Sequence, residues 1–249
     1  MNIVVAMKQV PDLVEDLVVD ENGTTLDPDE VEYRLNEFDD HALEEGLLLK
    51  ERVGGALTVV ALDGDGVDKV LFTALAKGAD RAVKIEGDPE EIEGNFALAA
   101  VFAQVVAELP CDLLLTGVQG CDDRDGHLGP LLAAMLKLPC ASVVTEVDVS
   151  GGVVRFLKEY SGGVVGRFEA DLPAVLGVQA ARQSPRYVPV SKVRQVQKSA
   201  TIETTEPDDE ATGLSTVTWM APPETGEGAT MLDGVEELIE LLESKGVLS

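Results

Sequence analysis

The sequence has no run of about 18 uninterrupted apolar residues, the length that a membrane-spanning helix requires. The apolar run within its first ten residues, MNIVVAMKQV, is also too short for a secretory signal peptide. We therefore expect a soluble, cytoplasmic protein that does not insert into a membrane.

Positive charge is scarce. The 249 residues include 19 Lys and Arg against 46 Asp and Glu, which gives a net charge of −27 at pH 7. Such a chain would repel phosphate backbones and anionic lipids, which argues against nucleic-acid and membrane partners. The acidic excess has two explanations, adaptation to a saline cytoplasm or patches that steer basic partners, and composition leaves both open.

Cysteine and histidine are also scarce. Cys111, Cys121 and Cys140 lack the spacing of metal ligands, so we expect reduced thiols and no metal site. His41 and His127 lie in neither a nucleophile elbow nor a metal-binding helix motif, which argues against a hydrolytic triad. We expect His41 to be a solvated surface residue, whereas His127 either contacts a ligand or has a capping or packing role at a helix start.

The nucleotide fingerprints G-x-G-x-x-G after the first strand and G-x-x-x-x-G-K-[ST] are absent. NAD dependence and NTP hydrolysis are therefore disfavoured. Gly64-Asp-Gly66 follows a predicted strand, but its aspartate would repel a phosphate, so we interpret this segment as a turn.

Short apolar runs alternate with helical periodicities over the first 140 residues. The runs predict strands at 3–7, 57–62, 82–85 and 112–116. The periodic segments predict a helix capped by Asn36 and helices at 67–78, 96–109 and 128–137. This alternation is typical of an α/β fold with a doubly wound, mostly parallel, Rossmann-like sheet. Four β-rich runs, at 142–149, 153–159, 164–169 and 174–178, predict an antiparallel extension.

The chain from about Ser184 to Met231 is polar and weakly periodic, which predicts an extended arm. Asp233 would cap a final amphipathic helix. The apolar face of that helix comprises Val235, Leu238, Ile239 and Leu242. The helix would either dock on another body or fold back on its own domain. We therefore expect an α/β nucleotide-binding domain at 1–183 and a recognition loop, arm and docking helix at 184–249.

Ligands of a doubly wound sheet bind outside the carboxyl ends of its strands, which directs attention to the loop at 117–130. This loop is rich in glycine and runs into a helix start, whose free N–H groups suit a phosphate. Its acidic residues Asp122, Asp123 and Asp125 either satisfy backbone donors in turns or contact a ligand. Lys8, directly after the first strand, could meet a phosphate or pair with a carboxylate.

Several segments together resemble the β-subunit of electron transfer flavoproteins. They are Val4–Lys8, Leu35–Asp39, Ala42–Glu45, Leu49–Glu51, Thr73–Arg81, Gly117–Pro130, Leu172–Val175, Pro185–Tyr187 and Val235–Val247. Their order and spacing over nearly the whole chain carry the likeness, since no single motif is decisive.

The resemblance implies an electron carrier with no catalytic residues of its own. In that family an α-subunit carries most of the FAD site, and the β-subunit buries an AMP with a structural role. Matching positions imply that the nucleotide is enclosed by Ala6, Asn36, Glu37, Phe38, Asp39, Gly64, Gln119, Gly120, Cys121, Asp122, Asp123, Arg124, Asp125, Gly126, His127, Leu128, Gly129 and Pro130. Phe38 would lie near the flavin ring of the α-subunit.

The resemblance also implies a docking segment for the flavin dehydrogenases that donate electrons, such as acyl-CoA dehydrogenases. Pro185, Arg186 and Tyr187 begin this segment, and Val190 stands where the family usually has a leucine anchor.

Other positions depart from the family pattern. Glu37 replaces a proline, Leu13 replaces a tyrosine often found near the flavin, and Arg124-Asp125 replaces the Asp-Thr of electron-bifurcating relatives. The β-subunit could therefore hold AMP, or a second FAD as in a bifurcating carrier, and the loop is closer to the AMP type. An alternative from another class is a stand-alone ATP-binding sensor, against which the long arm argues.

Overall fold

The computed structural model describes residues 1–23, 25–87, 92, 94–123, 125–207 and 231–248. Their strands are β1 (Asn2–Met7), β2 (Gln9–Pro11), β3 (Tyr33–Leu35), β4 (Ala56–Leu62), β5 (Arg81–Ile85), β6 (Leu113–Gly117), β7 (Cys140–Ser150), β8 (Val153–Tyr160), β9 (Val164–Asp171), β10 (Ala174–Val178) and β11 (Glu203–Thr205). Their α-helices are α1 (Glu37–Val53), α2 (Val67–Lys77), α3 (Gly94–Glu108), α4 (Leu128–Leu136), α5 (Val190–Gln197) and α6 (Val235–Ser244).

Nine strands form one sheet in the order β11-β5-β4-β1-β6-β10-β7-β8-β9, and β2 pairs with β3 separately. Pairing is parallel from β11 to β7 and antiparallel from β7 to β9. The predicted doubly wound, mostly parallel α/β fold is confirmed.

One strand of the predicted antiparallel extension is placed differently. β10 lies between β6 and β7 and is parallel to both. All five of its residues are buried, as is typical of a strand covered by helices on both faces of a parallel sheet. The antiparallel extension therefore consists of β7, β8 and β9, and the prediction was wrong for β10.

Helices cover the two faces of the sheet and divide its core into two clusters. α1 and α2 bury Leu43, Leu47 and Leu71 against one face. α3 and α4 bury Phe102 and Leu132 against the other face. From β1 the chain continues through α1 to β4, on one side of β1, whereas β6 lies on the other side. The strand order therefore reverses between β1 and β6, which is where a doubly wound sheet opens a crevice at its carboxyl edge.

Two residues predicted as helix caps make no side-chain cap hydrogen bond. Asn36 occupies the N-cap position of α1, and its carbonyl accepts the Asp40 N–H at 3.0 Å, but its side chain instead donates through Nδ2 to the carbonyl of Gln119 at 2.9 Å. Asp233 does not cap α6 either. Its backbone N–H instead donates to Glu237 Oε2 at 2.7 Å.

The predicted extended arm was wrong for the part of 184–231 that the structure describes. α5 packs against α2 and buries Val193, and β11 joins the main sheet beside β5. The sequence signal for α5 was weak because few of its eight residues are apolar. Residues 208–230 of the predicted arm lie outside the described residues, and the boundary at 183/184 stays a prediction.

The terminal helix α6 has no buried residue. Val235, Leu238 and Ile239 on its predicted apolar face are 66%, 42% and 43% exposed. The described part of the chain therefore leaves this face uncovered. Within that part, no helix combines the length and apolarity needed to cross a membrane.

Candidate functional site

A crevice opens where the strand order reverses, at the carboxyl ends of β1 and β6. We call it the switch-point crevice. Its lining residues are Lys8, Asn36, Asp39, Gly117, Val118, Gln119, Asp123, Gly126 and Leu128. The structure thus brings together the residue after β1, the start of α1 and the glycine-rich loop after β6, three segments that are distant in sequence.

Asp39 joins the two strand ends. The residue is only 2% exposed. Its Oδ2 accepts the Lys8 N–H at 2.9 Å, and its Oδ1 accepts the Gly117 N–H at 2.7 Å. Burial raises the pKa of the Asp39 carboxyl to about 6, although these two hydrogen bonds favour the ionised form. Asp39 therefore braces the floor of the crevice.

Asn36 and Phe38 hold the start of α1 against the same floor. The Asn36 N–H donates to the Lys8 carbonyl at 3.0 Å, and its side chain bonds Gln119 as described above. Phe38 is half-buried beside Gly117. A Cβ on residue 117 would lie 2.7 Å from Phe38 Cβ, so this close approach requires glycine.

Lys8 pairs with carboxylates from the loop after β6. Its Nζ lies 2.8 Å from Asp122 Oδ1 and also contacts Asp123. Burial alone would lower the pKa of Lys8, but these two carboxylates raise it above its usual value. Asp123 Oδ1 also accepts the Gly120 N–H at 3.0 Å. Two roles were predicted for Lys8, contact with a phosphate and pairing with a carboxylate, and the described residues show the pairing.

The rest of the loop is held by Asp125. Its Oδ1 accepts the His127 N–H at 3.0 Å and contacts the Asn95 amide, while Oδ2 lies 3.3 Å from His127 Nδ1. The His127 side chain is 66% exposed at the start of α4. Each described aspartate of the loop therefore has a partner within the chain, and contact with a ligand stays a prediction. Arg124 lies outside the described residues.

The remaining predicted residues differ in their positions. Ala6 is fully buried within β1, where its side chain belongs to the core cluster under α3 and α4. Gly64 lies in the loop after β4, and its N–H donates to Asp63 Oδ1 at 2.9 Å. Glu37 is exposed at the first turn of α1. The last group lies in the loop after β6 or the first turn of α4: Cys121, Gly129 and Pro130.

A second polar cluster holds residues 181–186, which follow β10 and which we call the strap. His41 Nδ1 accepts the Ala181 N–H at 3.1 Å, and Glu45 Oε2 accepts the Arg182 N–H at 2.8 Å. Glu44 Oε2 accepts the Arg186 N–H at 3.0 Å. The prediction that His41 is a solvated surface residue was wrong, because the strap crosses α1 at this point.

Arg186 ends the strap with a forked ion pair. Its guanidinium lies 2.8 Å from Glu44 Oε1 and 2.7 Å from Glu51 Oε1. Hydrogen bonds to these two carboxylates raise the pKa of Arg186. The Glu44 side chain is only 3% exposed, whereas Tyr187 and Val190 beyond the fork are 83% and 62% exposed. Arg186 is thus engaged within the chain, and the two residues after it face outward.

The strap and α5 form a basic stretch in an otherwise acidic chain. No Asp or Glu occurs from Leu172 to Ile202. Lys192, Arg194 and Lys198 are exposed on and just after α5. Within the described part of the chain, none of these three cations forms an ion pair.

Comparison with known protein families shows to which family this chain belongs. The family model described as the electron transfer flavoprotein domain matches residues 23–210, which is more than half of the chain. The chain belongs to the electron transfer flavoprotein family. Membership associates it with flavin-dependent electron transfer.

Individual relatives agree with this assignment. The chain is 34% identical to the electron transfer flavoprotein subunit beta of Methylophilus methylotrophus, over 94% of this chain and 93% of the relative. It is 30% identical to the subunit beta of Bacillus subtilis (strain 168), with 98% of each chain covered. It is 28% identical to the human subunit beta, over 99% and 98%. The resemblance inferred from the sequence segments is confirmed, and the name of these relatives implies an α-subunit partner.

Residues outside the sequence predictions also organise this electron transfer flavoprotein chain. Asn95 on α3 binds the Asp125 carboxylate, while Glu44 and Glu45 hold the strap. For Glu44 and Glu45 a sequence signal existed, since both are acidic residues on the face of α1 that also carries apolar core positions. Asn95 gave no such signal, because 30 residues separate it from its partner.

Proposed function

We propose that this chain is the β-subunit of a cytoplasmic, heterodimeric electron transfer flavoprotein. It holds AMP in the switch-point crevice, helps to enclose the FAD of an α-subunit and docks electron-donating dehydrogenases, so that electrons pass to a downstream acceptor. The observation that carries the proposal is the crevice itself, in which Asp39 and Asn36 tie the glycine-rich loop to the carboxyl end of β1.

The loop after β6 fits a nucleotide phosphate by its backbone. A Cβ on Gly126 would lie 2.6 Å from the Val118 carbonyl, and a Cβ on Gly120 would lie 2.5 Å from Lys8 Cε. Glycine at these places lets backbone N–H groups approach a phosphate, and the start of α4 adds further donors. A phosphate would be held by the N–H groups at the start of α4 and by Lys8, and it would compete with Asp123 for the Gly120 N–H.

Local charge favours a monophosphate over a longer phosphate chain. The cation of Lys8 is shared between Asp122 and Asp123, so the described groups at this end of the crevice carry a net negative charge. Each additional phosphate would increase the repulsion. This supports AMP rather than ATP, whereas the pyrophosphate diester of FAD carries about the same charge as the phosphate of AMP.

The carboxyl edge also offers apolar groups to a flavin held mainly by the α-subunit. Phe38 is half-buried beside the crevice, and Leu13 and Val14 are 63% and 80% exposed in the segment after β2. When bound, the FAD would supply the redox chemistry. The role of this chain's residues would be to cover the ring and exclude water. The uncovered apolar face of α6 would contribute to binding the α-subunit.

The docking segment would use Tyr187 and Val190 as apolar contacts, held in place by the Arg186 fork. The cations of α5 would face acidic groups of a dehydrogenase. Together, the strap, Tyr187, Val190 and α5 give the predicted recognition loop a fixed base and an exposed tip.

Mass spectrometry of the small molecules released on denaturing the purified heterodimer tests the proposal. One AMP and one FAD per heterodimer are expected. Two FAD molecules would instead indicate a bifurcating carrier, and a chain that purifies alone with ATP and no flavin would indicate the sensor alternative. In a separate test, Val190→Asp should raise the KM of the dehydrogenase for the heterodimer without changing the amounts of bound AMP and FAD.

A further inference from the structure

Gln9, the first residue of β2, carries an unpaired polar atom. Among the buried side-chain nitrogen and oxygen atoms of the described residues, Gln9 Oε1 has no hydrogen-bond partner. Leaving such an atom unpaired costs free energy, and native structures retain few of them. A ligand that supplies the missing donor would account for its presence.

Gln9 lies beside the switch-point crevice. It follows Lys8, which lines the crevice, and pairs in the β2–β3 ladder with Leu35, the neighbour of Asn36. A Cβ on Gly66 would lie 3.7 Å from Gln9 Oε1, so the carboxamide reaches the loop between β4 and α2. Gln9 is therefore at the carboxyl ends of β1 and β4, on the side away from the loop after β6.

The two ends of the crevice suit different parts of a nucleotide. The glycine-rich loop after β6 and the start of α4 provide the N–H groups that suit a phosphate, as argued above. With the phosphate there, the base would extend toward β4, where Gly64 and Gly66 contribute no side chain to the loop. A glutamine carboxamide has one acceptor and two donors, and it can form two hydrogen bonds with the amine and a ring nitrogen of adenine.

We propose that the Gln9 carboxamide binds the base of the nucleotide and selects adenine over bases that carry a carbonyl in place of the amine. This inference rests on the proposed nucleotide-binding function. It holds equally for AMP and for FAD, because both contain adenine.

The test uses the full chain purified with its α-subunit and freed of bound nucleotide. Titration with AMP and with IMP, in which a carbonyl replaces the adenine amine, should show about tenfold tighter binding of AMP. Gln9→Met keeps the side-chain size and removes both hydrogen bonds. This variant should bind AMP about tenfold more weakly and lose the preference over IMP.

A thermal melt of the nucleotide-free protein separates recognition from a structural role. If Gln9 serves the ligand, Gln9→Met should melt at the same temperature as the wild type or higher, because the unpaired acceptor is gone. Gln104→Met, on α3, is the control for the same exchange and should leave AMP binding unchanged.

Two results would overturn the assignment of Gln9 while leaving the proposed function intact. One is an unchanged AMP-to-IMP ratio in Gln9→Met, and the other is a parallel loss of AMP binding and thermal stability. If the wild-type heterodimer bound neither nucleotide, the proposed function itself would fail, and the role of Gln9 with it.

Discussion

The two halves of α1 use buried acidic side chains in different ways. At the start of the helix, Asp39 accepts two backbone N–H groups and joins two strands of the sheet. In the middle, Glu44 and Glu45 also accept backbone N–H groups, but both additionally face guanidinium groups of the strap.

The bonds of Asp39 belong to the domain core, whereas those of Glu44 and Glu45 attach the strap to its surface. The Asp39 bonds link strands that are already neighbours in the core, so the crevice floor forms together with the sheet. The strap is held by ion pairs that reach the surface, where Arg186 is 29% exposed and water and salt weaken each pair. We therefore expect the crevice to fail only with the whole domain, and the strap to loosen separately.

Asp39→Asn should have the largest effect. The amide would direct an NH2 group toward one of the two N–H donors, so a buried donor would lose its acceptor. We expect the free energy of unfolding to fall by about 3 kcal/mol at about pH 4, where the Asp39 carboxyl is neutral and the wild type buries no charge. Urea denaturation measures the change, and Glu37→Gln, exposed two residues earlier, should change it by less than about 0.5 kcal/mol. An equal loss in both variants would contradict the bracing role.

The pH dependence of unfolding would measure the burial of the Asp39 charge. Its folded-state pKa of about 6 is above the usual aspartate value, so the folded chain keeps a proton that the unfolded chain releases. The free energy of unfolding of the wild type, relative to Asp39→Asn, should therefore fall by up to about 3 kcal/mol as the pH rises from about 4 to 6. A difference that rises with pH would show that the folded-state pKa is lowered instead.

The elements that the sequence predicted well are those whose own residues determine them. β1, β4 and β6 are mostly apolar runs, and α2 shows a clear helical period that ends at Gly78. The sequence did not predict the direction of β10, because an isolated apolar run does not indicate which neighbours it pairs with. α5 has few apolar residues and is held by contacts with α2, where Val193 is buried.

The candidate site also has features that the sequence predicted and features that it did not. Its location at the carboxyl edge follows from the alternation of strands and helices, which predicted the loop after β6 as a ligand-binding segment. The pairing of Lys8 with Asp122 joins residues 114 positions apart, and sequence spacing could not choose between this and the alternatives. The unpaired Gln9 acceptor depends in the same way on how the loops at the ends of β1 and β4 approach each other.

Glu44→Gln should loosen the strap without unfolding the domain. The variant removes the charge from the buried partner of Arg186, and we expect the free energy of unfolding to fall by about 1 kcal/mol. If the docking function holds, the KM for the dehydrogenase should rise about fivefold with little change in kcat, because Tyr187 and Val190 lose their fixed base. Glu203→Gln breaks a comparable fork with Arg81 at the far edge of the sheet and should leave the KM unchanged. If the KM stayed normal in Glu44→Gln but rose in Val190→Asp, docking would depend on the exposed residues after the strap and not on the strap itself.

Charge reversal on α5 should have the smallest effect and act on the rate of association. Lys192 and Lys198 are exposed and form no ion pair within the described residues, so they are available to attract an acidic partner. Lys192→Glu combined with Lys198→Glu should lower the association rate with the dehydrogenase a few-fold at low salt and hardly at all at high salt. Stopped-flow mixing over a range of salt concentrations measures this. Because neither lysine contacts Asp39 or Glu44, the free energy of unfolding should stay within about 0.5 kcal/mol of the wild type. A rate loss that persists at high salt would mean that these side chains contact the partner directly instead of steering it.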